Sequence, residues 1–267
     1  MEIAGENCAI GKADCCILII MHDHDLSTSI TEEELDSPLD HWDETEEPKP
    51  DPEEMLRLLT AAEPGQRTLA ARAFCEIQDD RAIPLLIELL REPCPLTRVS
   101  AAYALGRNTS KDVVEPLIEQ LRRDWNGYVR KGVVWALGNC HDRRALVPLI
   151  DALKTDIPAV RLWAASSLGQ LSTVSYDVAI AAVPPLIESL LKDSVAAVRS
   201  NCAWAIGQLC RELPNNVVYA GAIDALIEAL ENDQDLSVQE DAKASLLRVG
   251  DPRGLQIIEE LEQEGFF

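Results

Sequence analysis

The side chains best suited to chemistry near the start of this 267-residue sequence are thiols and imidazoles. Soft metals prefer thiolate and imidazole ligands, so these residues suggest a metal or iron–sulfur site. The set comprises Cys8, Cys15, Cys16, His22, His24 and His41. Its spacing matches no established zinc pattern, and a flexible segment is a poor cage for a metal. A start at Met21 would also remove the three cysteines. We therefore predict no metal site and no cofactor.

No catalytic arrangement is readable in the rest of the sequence. His141 falls at an expected turn, where a capping or surface role is favoured. Cys140, Cys202 and Cys210 could form a thiol cluster, but buried thiols are usually inert. Neither a phosphate-binding loop nor a nucleophile–base pair is present. We expect a protein that acts by binding and has no catalytic residues of its own.

The charge of the chain limits its partners. There are 24 basic and 46 acidic residues, for a formal net charge of −22. Phosphate binding needs clustered Lys and Arg, so nucleic acid and an anionic membrane surface are both disfavoured. No apolar run reaches the roughly 18 residues that a membrane span needs, and no basic segment precedes the short apolar stretch at 17–21. Cysteines on apolar helix faces imply a reducing compartment. We predict a cytoplasmic protein.

Acidic residues dominate the start of the chain. Between His22 and Glu54 there are 14 acidic residues against one basic residue, Lys49. Such a segment cannot bury enough apolar surface to offset its chain entropy, so we predict a disordered acidic tail over residues 1–51. It acts either as a solubilising tail or as a short docking motif around Leu35, Leu39 and Trp42.

From residue 52 to residue 267 the sequence repeats. Six copies share a pattern of an arginine followed by small apolar residues, and in the last copy Gln239 replaces the arginine. Three copies end in Leu-Gly, and the copy that begins at Arg199 ends in Ile206-Gly207. The arginines are Arg67, Arg98, Arg130, Arg161 and Arg199, spaced 31, 32, 31 and 38 by subtraction. Between them recur segments such as VEPLIEQL (114–121) and LVPLIDAL (146–153). A period near thirty residues with two helices per unit predicts an all-α solenoid of about six helical hairpins.

The register of each inner helix separates structural from binding positions. Counted from the arginine, positions −1, +3, +4 and +7 should be buried, and the arginines should form a ladder that hydrogen-bonds the turns of adjacent repeats. Positions +2, +5 and +9 share another face, which should line the concave surface. The predicted partner-binding residues on that face are Tyr103, Arg107, Trp135, Asn139, Trp163, Gln170, Trp204 and Gln208.

Two interpretations of this aromatic face remain open. Trp, Tyr and Arg are typical anchors of binding hot spots, which favours a groove across repeats two to five. Trp125 and Tyr128, before the third inner helix, could extend that groove. The alternative is that the aromatic residues fill gaps between neighbouring repeats. Insertions at 172–179 and 212–220 are expected to form edge loops that extend a binding surface.

The inner helices also resemble a known family. RVSAAYALG (98–106), VRKGVVWALG (129–138) and VRSNCAWAIG (198–207), with Asp-x-Arg-Ala in the turns, resemble the HEAT-like repeats of the cyanobacterial phycobilisome-lyase family. The resemblance covers about residues 53–258. It implies a solenoid fold, which many adaptor proteins share.

Two kinds of family member suggest different partners. Bilin lyase subunits of the E and F type chaperone a tetrapyrrole onto a phycobiliprotein cysteine. A HEAT-repeat relative of the E subunit instead partners the A-type iron–sulfur assembly protein, and this chain looks more like that second kind. The resemblance therefore implies a non-catalytic adaptor for a protein client, with an iron–sulfur assembly protein or a phycobiliprotein subunit as the client. The alternatives are a bilin lyase, the one enzyme activity considered, and a solenoid without a specific client.

Overall fold

The computed structural model of the protein describes residues 50–263. The candidate metal ligands and the possible docking motif at Leu35, Leu39 and Trp42 lie outside these residues, as does the predicted tail apart from its last two positions. The described helices are α1 Pro52–Leu58, α2 Pro64–Ala73, α3 Ala82–Leu89, α4 Pro95–Arg107, α5 Val114–Arg123, α6 Gly127–Asn139, α7 Leu146–Thr155, α8 Pro158–Gln170, α9 Tyr176–Lys192, α10 Ala196–Cys210, α11 Val217–Asn232, α12 Leu236–Val249 and α13 Pro252–Gln263.

These helices form six consecutive hairpins. Each odd-numbered helix from α1 to α11 is an outer helix, and the even-numbered helix after it is an inner helix. Every inner helix packs on the inner helix of the next hairpin, and α13 closes the array against α11 and α12. The described residues contain no β-strand, only two short 3-10 segments at Arg143–Ala145 and Leu171–Thr173. The predicted all-α solenoid is confirmed.

Local sequence explains where the inner helices begin. Proline is the first residue of α2, α4 and α8, where its fixed φ suits the helix and its missing N–H costs no hydrogen bond. Asn126 caps α6 instead, because its side chain accepts hydrogen bonds from the backbone N–H groups of Tyr128 and Val129. Each inner helix therefore starts at a defined residue, which keeps the repeats in register.

The core consists of the apolar columns that the register predicts. At position +7 the fully buried side chains are Phe74, Leu105, Leu137, Leu168, Ile206 and Leu246. Position +3 is buried in every copy, from Ala70 to Ala242. Burial of each apolar side chain contributes about 1.5–3 kcal/mol, so stacking of neighbouring hairpins supplies the stability that a single hairpin lacks.

Glycines at position +8 set the distance between inner helices. A Cβ atom added to Gly106 would lie 2.5 Å from the Trp135 ring and 2.9 Å from the Ala136 Cα. A Cβ atom added to Gly169 would lie 2.9 Å from the Trp204 ring and 3.0 Å from the Ala205 Cα. Glycine recurs in this column because the next inner helix leaves no room for a side chain.

The first hairpin and the two insertions differ from the prediction. The repeat pattern predicts the first inner helix over residues 66–78, but α2 spans Pro64–Ala73, since the chain turns there to reach Asp79. The insertions were expected to be loops. About half of each insertion, residues 176–179 and 217–220, instead forms the first turn of the outer helices α9 and α11, which have 17 and 16 residues. Ser175 and Asn216 cap these longer helices by accepting backbone hydrogen bonds.

None of the helices between residues 50 and 263 is both long enough and apolar enough to cross a membrane.

Candidate partner-binding site

The five arginines at the start of the inner helices are held by contacts within the protein. Four of them donate two hydrogen bonds each to an aspartate in the next repeat, with N–O distances of 2.6–3.0 Å. The pairs are Arg98–Asp124, Arg130–Asp156, Arg161–Asp193 and Arg199–Asp233. The remaining nitrogen, Nη1, donates to a backbone carbonyl in the arginine's own turn. This arginine ladder is therefore occupied structurally and has little capacity left for a ligand.

Each aspartate of the ladder joins two repeats. The Asp124 carboxylate accepts from Arg98, while its backbone carbonyl accepts from Arg130 Nη1 at 2.9 Å. The same arrangement recurs at Asp193, between Arg161 and Arg199. The sequence interpretation named the arginines but missed these acids. Their signal was an aspartate five or six residues before each later member of the arginine column.

The ends of the ladder are simpler. Arg67 makes one ion pair, to Glu92 at 2.9 Å, and donates to the Ala61 and Ala62 carbonyls. Gln239, which replaces the last arginine, keeps one bond, to the Asp233 carbonyl at 2.7 Å. Among the described residues Gln239 has no carboxylate partner, and its neutral amide needs none.

The ladder changes the acidity of its aspartates. Burial alone would raise the pKa of Asp124, but hydrogen bonds from Arg98, the Asn126 backbone and Gln120 outweigh burial and hold that pKa below its ordinary value. The pKa values of Asp193 and Asp233 are lowered in the same way, against burial, by Arg161 and Arg199 and by nearby backbone N–H groups. These carboxylates are ionised at neutral pH.

A second set of arginines ties the turns to the outer helices. Asp142 accepts from the backbone N–H and the side chain of Arg144, and Arg144 also donates to the Lys111 carbonyl and to Glu115. The Arg144 hydrogen bond lowers the pKa of Asp142 to about 2. Arg81 and Arg253 form equivalent contacts with Glu53 and Asp224. The Asp-x-Arg turns are therefore structural, like the ladder.

The aromatic residues of the predicted binding face meet across neighbouring inner helices. Tyr103 and Trp135 have ring centroids 5.2 Å apart with planes tilted by 51°. The Arg107 guanidinium lies 5.7 Å from the centre of the Trp135 ring, and Lys131 Nζ lies 5.4 Å from that of Trp163. Both distances fall within the range of cation–π attraction. We call the residues at positions +1, +2, +5 and +9 of the inner helices the inner-helix face.

Trp135 and Trp204 also fill space between repeats. Trp135 is only 8% exposed and covers Gly106, while the half-buried Trp204 covers Gly169. Trp135 therefore fits the interpretation in which the aromatic residues fill gaps between neighbouring repeats. It can offer a partner no more than one edge of its ring. Tyr103, Trp163 and Trp204 keep more accessible surface, and Arg107 is exposed.

The amides of the inner-helix face are half-buried and partly committed. Asn139 donates to the Gly106 carbonyl at 3.2 Å. The buried Gln170 Oε1 accepts no hydrogen bond within residues 50–263. Ser166 donates to Asn201 Oδ1 on the next inner helix. Gln208 and Gln170 are therefore the amides with the most unused hydrogen-bonding capacity on this face.

Trp125 and Tyr128 lie at the turn between α5 and α6, and each is 76% exposed. Trp125 sits 6.0 Å from the Arg98 guanidinium. Nearby, a cavity of about 450 Å³ between α5 and α7 is bordered by Leu121, Pro148 and Ile157. These features lie at the edge of the solenoid that carries the arginine ladder. They are separate from the face formed by positions +2, +5 and +9.

Cys140, Cys202 and Cys210, the thiols of the suggested cluster, show no sign of reactivity. Burial raises the pKa of Cys140 and of Cys210 to about 12, and it raises that of Cys202 as well. No group of three or more His, Cys, Asp or Glu side chains suited to a metal occurs in the part of the chain that the structure describes. His141 is exposed at the turn after α6, with a φ of 46°.

One buried polar residue was not anticipated from the sequence. Asn108, 5% exposed, donates to the Phe74, Ile77 and Ala104 carbonyls and accepts from the Asp79 N–H at 2.9 Å. It appears in one repeat only, so no periodicity could have revealed it. Asn108 satisfies backbone groups where α2 ends early.

The fold and its arginine ladder define a repeat scaffold without a recognisable catalytic centre among the described residues. The chain belongs to the HEAT-repeat family, whose model matches residues 52–124, 114–207 and 183–265. No curated protein matches it.

Solved structures resemble the chain at the level of fold. A designed armadillo repeat protein in complex with the peptide (KR)4 is 21% identical, with a TM-score of 0.58, over 74% of this chain and 98% of that one. The complex of CpcE and CpcF of phycocyanin lyase from Nostoc sp. PCC7120 is 22% identical, with a TM-score of 0.56, over 86% of this chain and 85% of that one. Kap121p is 16% identical, with a TM-score of 0.60, over 74% of this chain and 23% of that one.

Proposed function

We propose that this protein is a non-catalytic cytoplasmic adaptor that binds a segment of a protein client along the inner-helix face. The observation that carries the proposal is a difference between two sets of side chains on the inner helices. Four ladder arginines are committed to aspartates. Arg107 on α4, Trp163 on α8 and Gln208 on α10 instead have accessible surface, and Arg107 makes no ion pair within residues 50–263. Aromatic and arginine side chains are the commonest anchors of protein interfaces.

The similar solenoids support a protein partner. One was solved with a bound peptide and another as a complex of two protein subunits. We propose that the client contacts Tyr103, Trp163, Gln170, Trp204 and Gln208, with Arg107 and Asn139 at one end. Trp135 would contribute its ring edge and its support for Arg107.

We also propose which protein the client is. We infer an A-type iron–sulfur assembly protein from the resemblance of the repeats to a family with such a member. The second candidate is a phycobiliprotein subunit, with the chain as a bilin lyase or lyase subunit. The fold likeness to the phycocyanin lyase complex favours this alternative. In that role the aromatic residues would contact the tetrapyrrole. Cations of the face that make no ion pair within residues 50–263 would pair with its propionates.

Binding assays with purified clients test the proposal. The immobilised full chain is offered an A-type iron–sulfur assembly protein and, separately, a phycobiliprotein apo-subunit. We expect the wild type to retain one of them and Trp163→Ala/Gln208→Ala to lose at least about tenfold in affinity. The matched control is Glu228→Ala/Glu231→Ala, two exposed positions on the outer helix α11, which should bind like the wild type.

The two clients give different results. Visible absorbance that develops on mixing with phycocyanobilin would favour the lyase, and an adaptor for an iron–sulfur protein should show none. Equal retention of the client by the wild type and by the Trp163/Gln208 variant would show that the inner-helix face is not the site.

A further inference from the structure

Three cations stand on the inner-helix face of the first three repeats. They are Arg72 at position +5 of α2, Arg107 at +9 of α4 and Lys131 at +1 of α6. None of them makes an ion pair or a hydrogen bond to a carboxylate among residues 50–263. Positions +1, +2, +5 and +9 of the first three repeats hold a single carboxylate, that of Glu76, which lies after the end of α2. The face therefore carries local positive charge in a chain whose net charge is −22.

The charge reverses along the solenoid. The same positions hold no ionisable group on α8 or α10, and on α12 they hold Glu240, Asp241 and Arg248. Asp241 accepts from the Ser200 hydroxyl of α10, so its carboxylate is fixed at this face. The inner-helix face thus runs from basic at α2–α6, through uncharged amides and indoles, to net acidic at α12.

Two of the three cations are held ready for a ligand. Arg107 lies over the Trp135 ring and Lys131 over the Trp163 ring, at 5.7 and 5.4 Å. Attraction to the indole face limits the freedom of each side chain, while its N–H groups have no hydrogen-bond partner among residues 50–263. A carboxylate can accept two parallel hydrogen bonds from the edge of such a guanidinium. Less side-chain entropy is then lost on binding, which favours affinity.

We propose that the inner-helix face of α2, α4 and α6 binds an acidic segment of a protein partner, whose carboxylates pair with Arg72, Arg107 and Lys131. This inference rests on the proposed function and specifies the chemistry of the client. Nucleic acid is the less suitable polyanion, because a duplex carries one charge per roughly 1.7 Å and the rest of this strongly acidic chain would repel it. The acidic residues of α12 orient the segment, with its carboxylates over the first repeats.

Peptide titrations test the inference on the full chain. The probes are three labelled ten-residue peptides, (Glu-Ala)5, (Gln-Ala)5 and (Lys-Ala)5, and a short DNA duplex. We expect (Glu-Ala)5 to bind about tenfold or more tightly than (Gln-Ala)5 and (Lys-Ala)5 at about 50 mM salt, and the advantage to shrink at about 500 mM. Tighter binding of (Lys-Ala)5 or of the duplex would overturn the proposal.

Matched variants separate this site from general charge. Arg72→Gln/Arg107→Gln/Lys131→Gln should abolish the preference for (Glu-Ala)5. Lys111→Gln/Arg143→Gln/Lys192→Gln, which removes three exposed cations outside the face, should keep it. Equal loss in both triple variants would reject the site. Peptides that bind equally well regardless of charge, but lose affinity in Trp163→Ala/Gln208→Ala, would refute the acidic preference and leave the proposed function standing.

Discussion

In the last four outer-to-inner turns, a single aspartate contacts three separate parts of the chain. The Asp193 carboxylate accepts from Arg161 of the preceding inner helix and from the Val195 N–H of its own turn. Its carbonyl accepts from Arg199 of the following inner helix. Asp124 and Asp233 repeat the carboxylate contacts with their own arginines and turns. Stacking of repeats is therefore set by directional bonds as well as by apolar packing.

Asp193→Asn should weaken the whole array. The side chains of Asp193 and Arg161 are only 7% and 16% exposed, so loss of the carboxylate charge leaves Arg161 poorly compensated. We expect a loss of about 3 kcal/mol in the free energy of unfolding, measured by urea denaturation. Glu188→Gln, which neutralises an exposed partner of Lys154, should change it by less than about 1 kcal/mol. Similar values for both variants would show that the ladder adds nothing to stability.

Acid should unfold the protein through the same aspartates. The pKa values of Asp124, Asp193 and Asp233 are lowered in the folded state, so the native protein binds fewer protons than the unfolded chain. Their contribution to stability is thus complete above the unfolded pKa of about 4 and is lost as pH falls through the lower folded values. We expect melting temperatures from these groups to be level between about pH 7 and pH 5 and to fall below about pH 4. In Asp193→Asn that fall should be shallower, and an unchanged slope would contradict the assignment.

At the residue level, the features that could be predicted from the sequence are those that recur in several repeats. The arginine column was readable because five copies align, whereas its acidic partners precede the next arginine by five or six residues and are replaced by Glu92 in the first repeat. The burial of Trp135 was not readable, since it depends on the close approach of α6 to Gly106. The eight predicted binding residues remain a prediction, and the structure adds Arg72 and Lys131 to them as candidates.

At the scale of helices, the distance between neighbouring inner helices determines how the core packs and where Trp135 lies. Gly106 and Gly169 allow the next inner helix to approach until its tryptophan covers the glycine. The same contact places Trp135 beneath Arg107. The packing of the core and the position of a candidate binding residue therefore depend on one glycine.

Gly106→Ala should be destabilising, because the added methyl group would lie 2.9 Å from the Ala136 backbone, which cannot rotate away. We expect a loss of about 1–3 kcal/mol by thermal or urea unfolding. Gly221→Ala is the matched control: it lies inside α11 with no atom within 4 Å of the added Cβ, so it should raise stability by up to about 1 kcal/mol. The idea of close helix approach fails if Gly106→Ala is as stable as the wild type.

Helix lengths show what the repeat pattern can and cannot predict. The inner helices and their buried columns followed from a period near thirty residues and an apolar spacing of three and four. The insertions were misjudged because a departure from the period does not say whether the extra residues are helical. Val178, Ala179 and Ala182 are buried at the start of α9, and that burial favours two more turns of helix over a loop.

At the scale of the whole molecule, the described repeats differ in the number of contacts that stabilise them. A solenoid repeat contacts only its neighbours, so terminal repeats are stabilised from one side. The first repeat also has the shortest described outer helix, α1 with 7 residues, and its ladder arginine, Arg67, donates only one hydrogen bond to its acidic partner, Glu92. The central repeats have two bidentate ladder contacts and neighbours on both sides.

Native-state hydrogen exchange should show this gradient. Amides of α1 and α2 should exchange by local opening at least about tenfold faster than those of α6 and α8. The replacement Arg67→Gln should increase exchange only in the first repeat and in the turn around Glu92, because the Arg67 side chain contacts Ala61, Ala62 and Glu92. Uniform protection from α1 to α12 would mean that the array opens as a unit.

The most direct test of the central claim is site-specific photo-cross-linking to a bound client. A photoreactive residue is placed at Gln208 on the inner-helix face, at Glu228 on an outer helix or at Trp125 on the turn edge, and each protein is irradiated with its purified client. We predict client cross-links from Gln208 and none from Glu228 or Trp125. Cross-links from Glu228 or Trp125 without any from Gln208 would place the partner elsewhere and contradict the account.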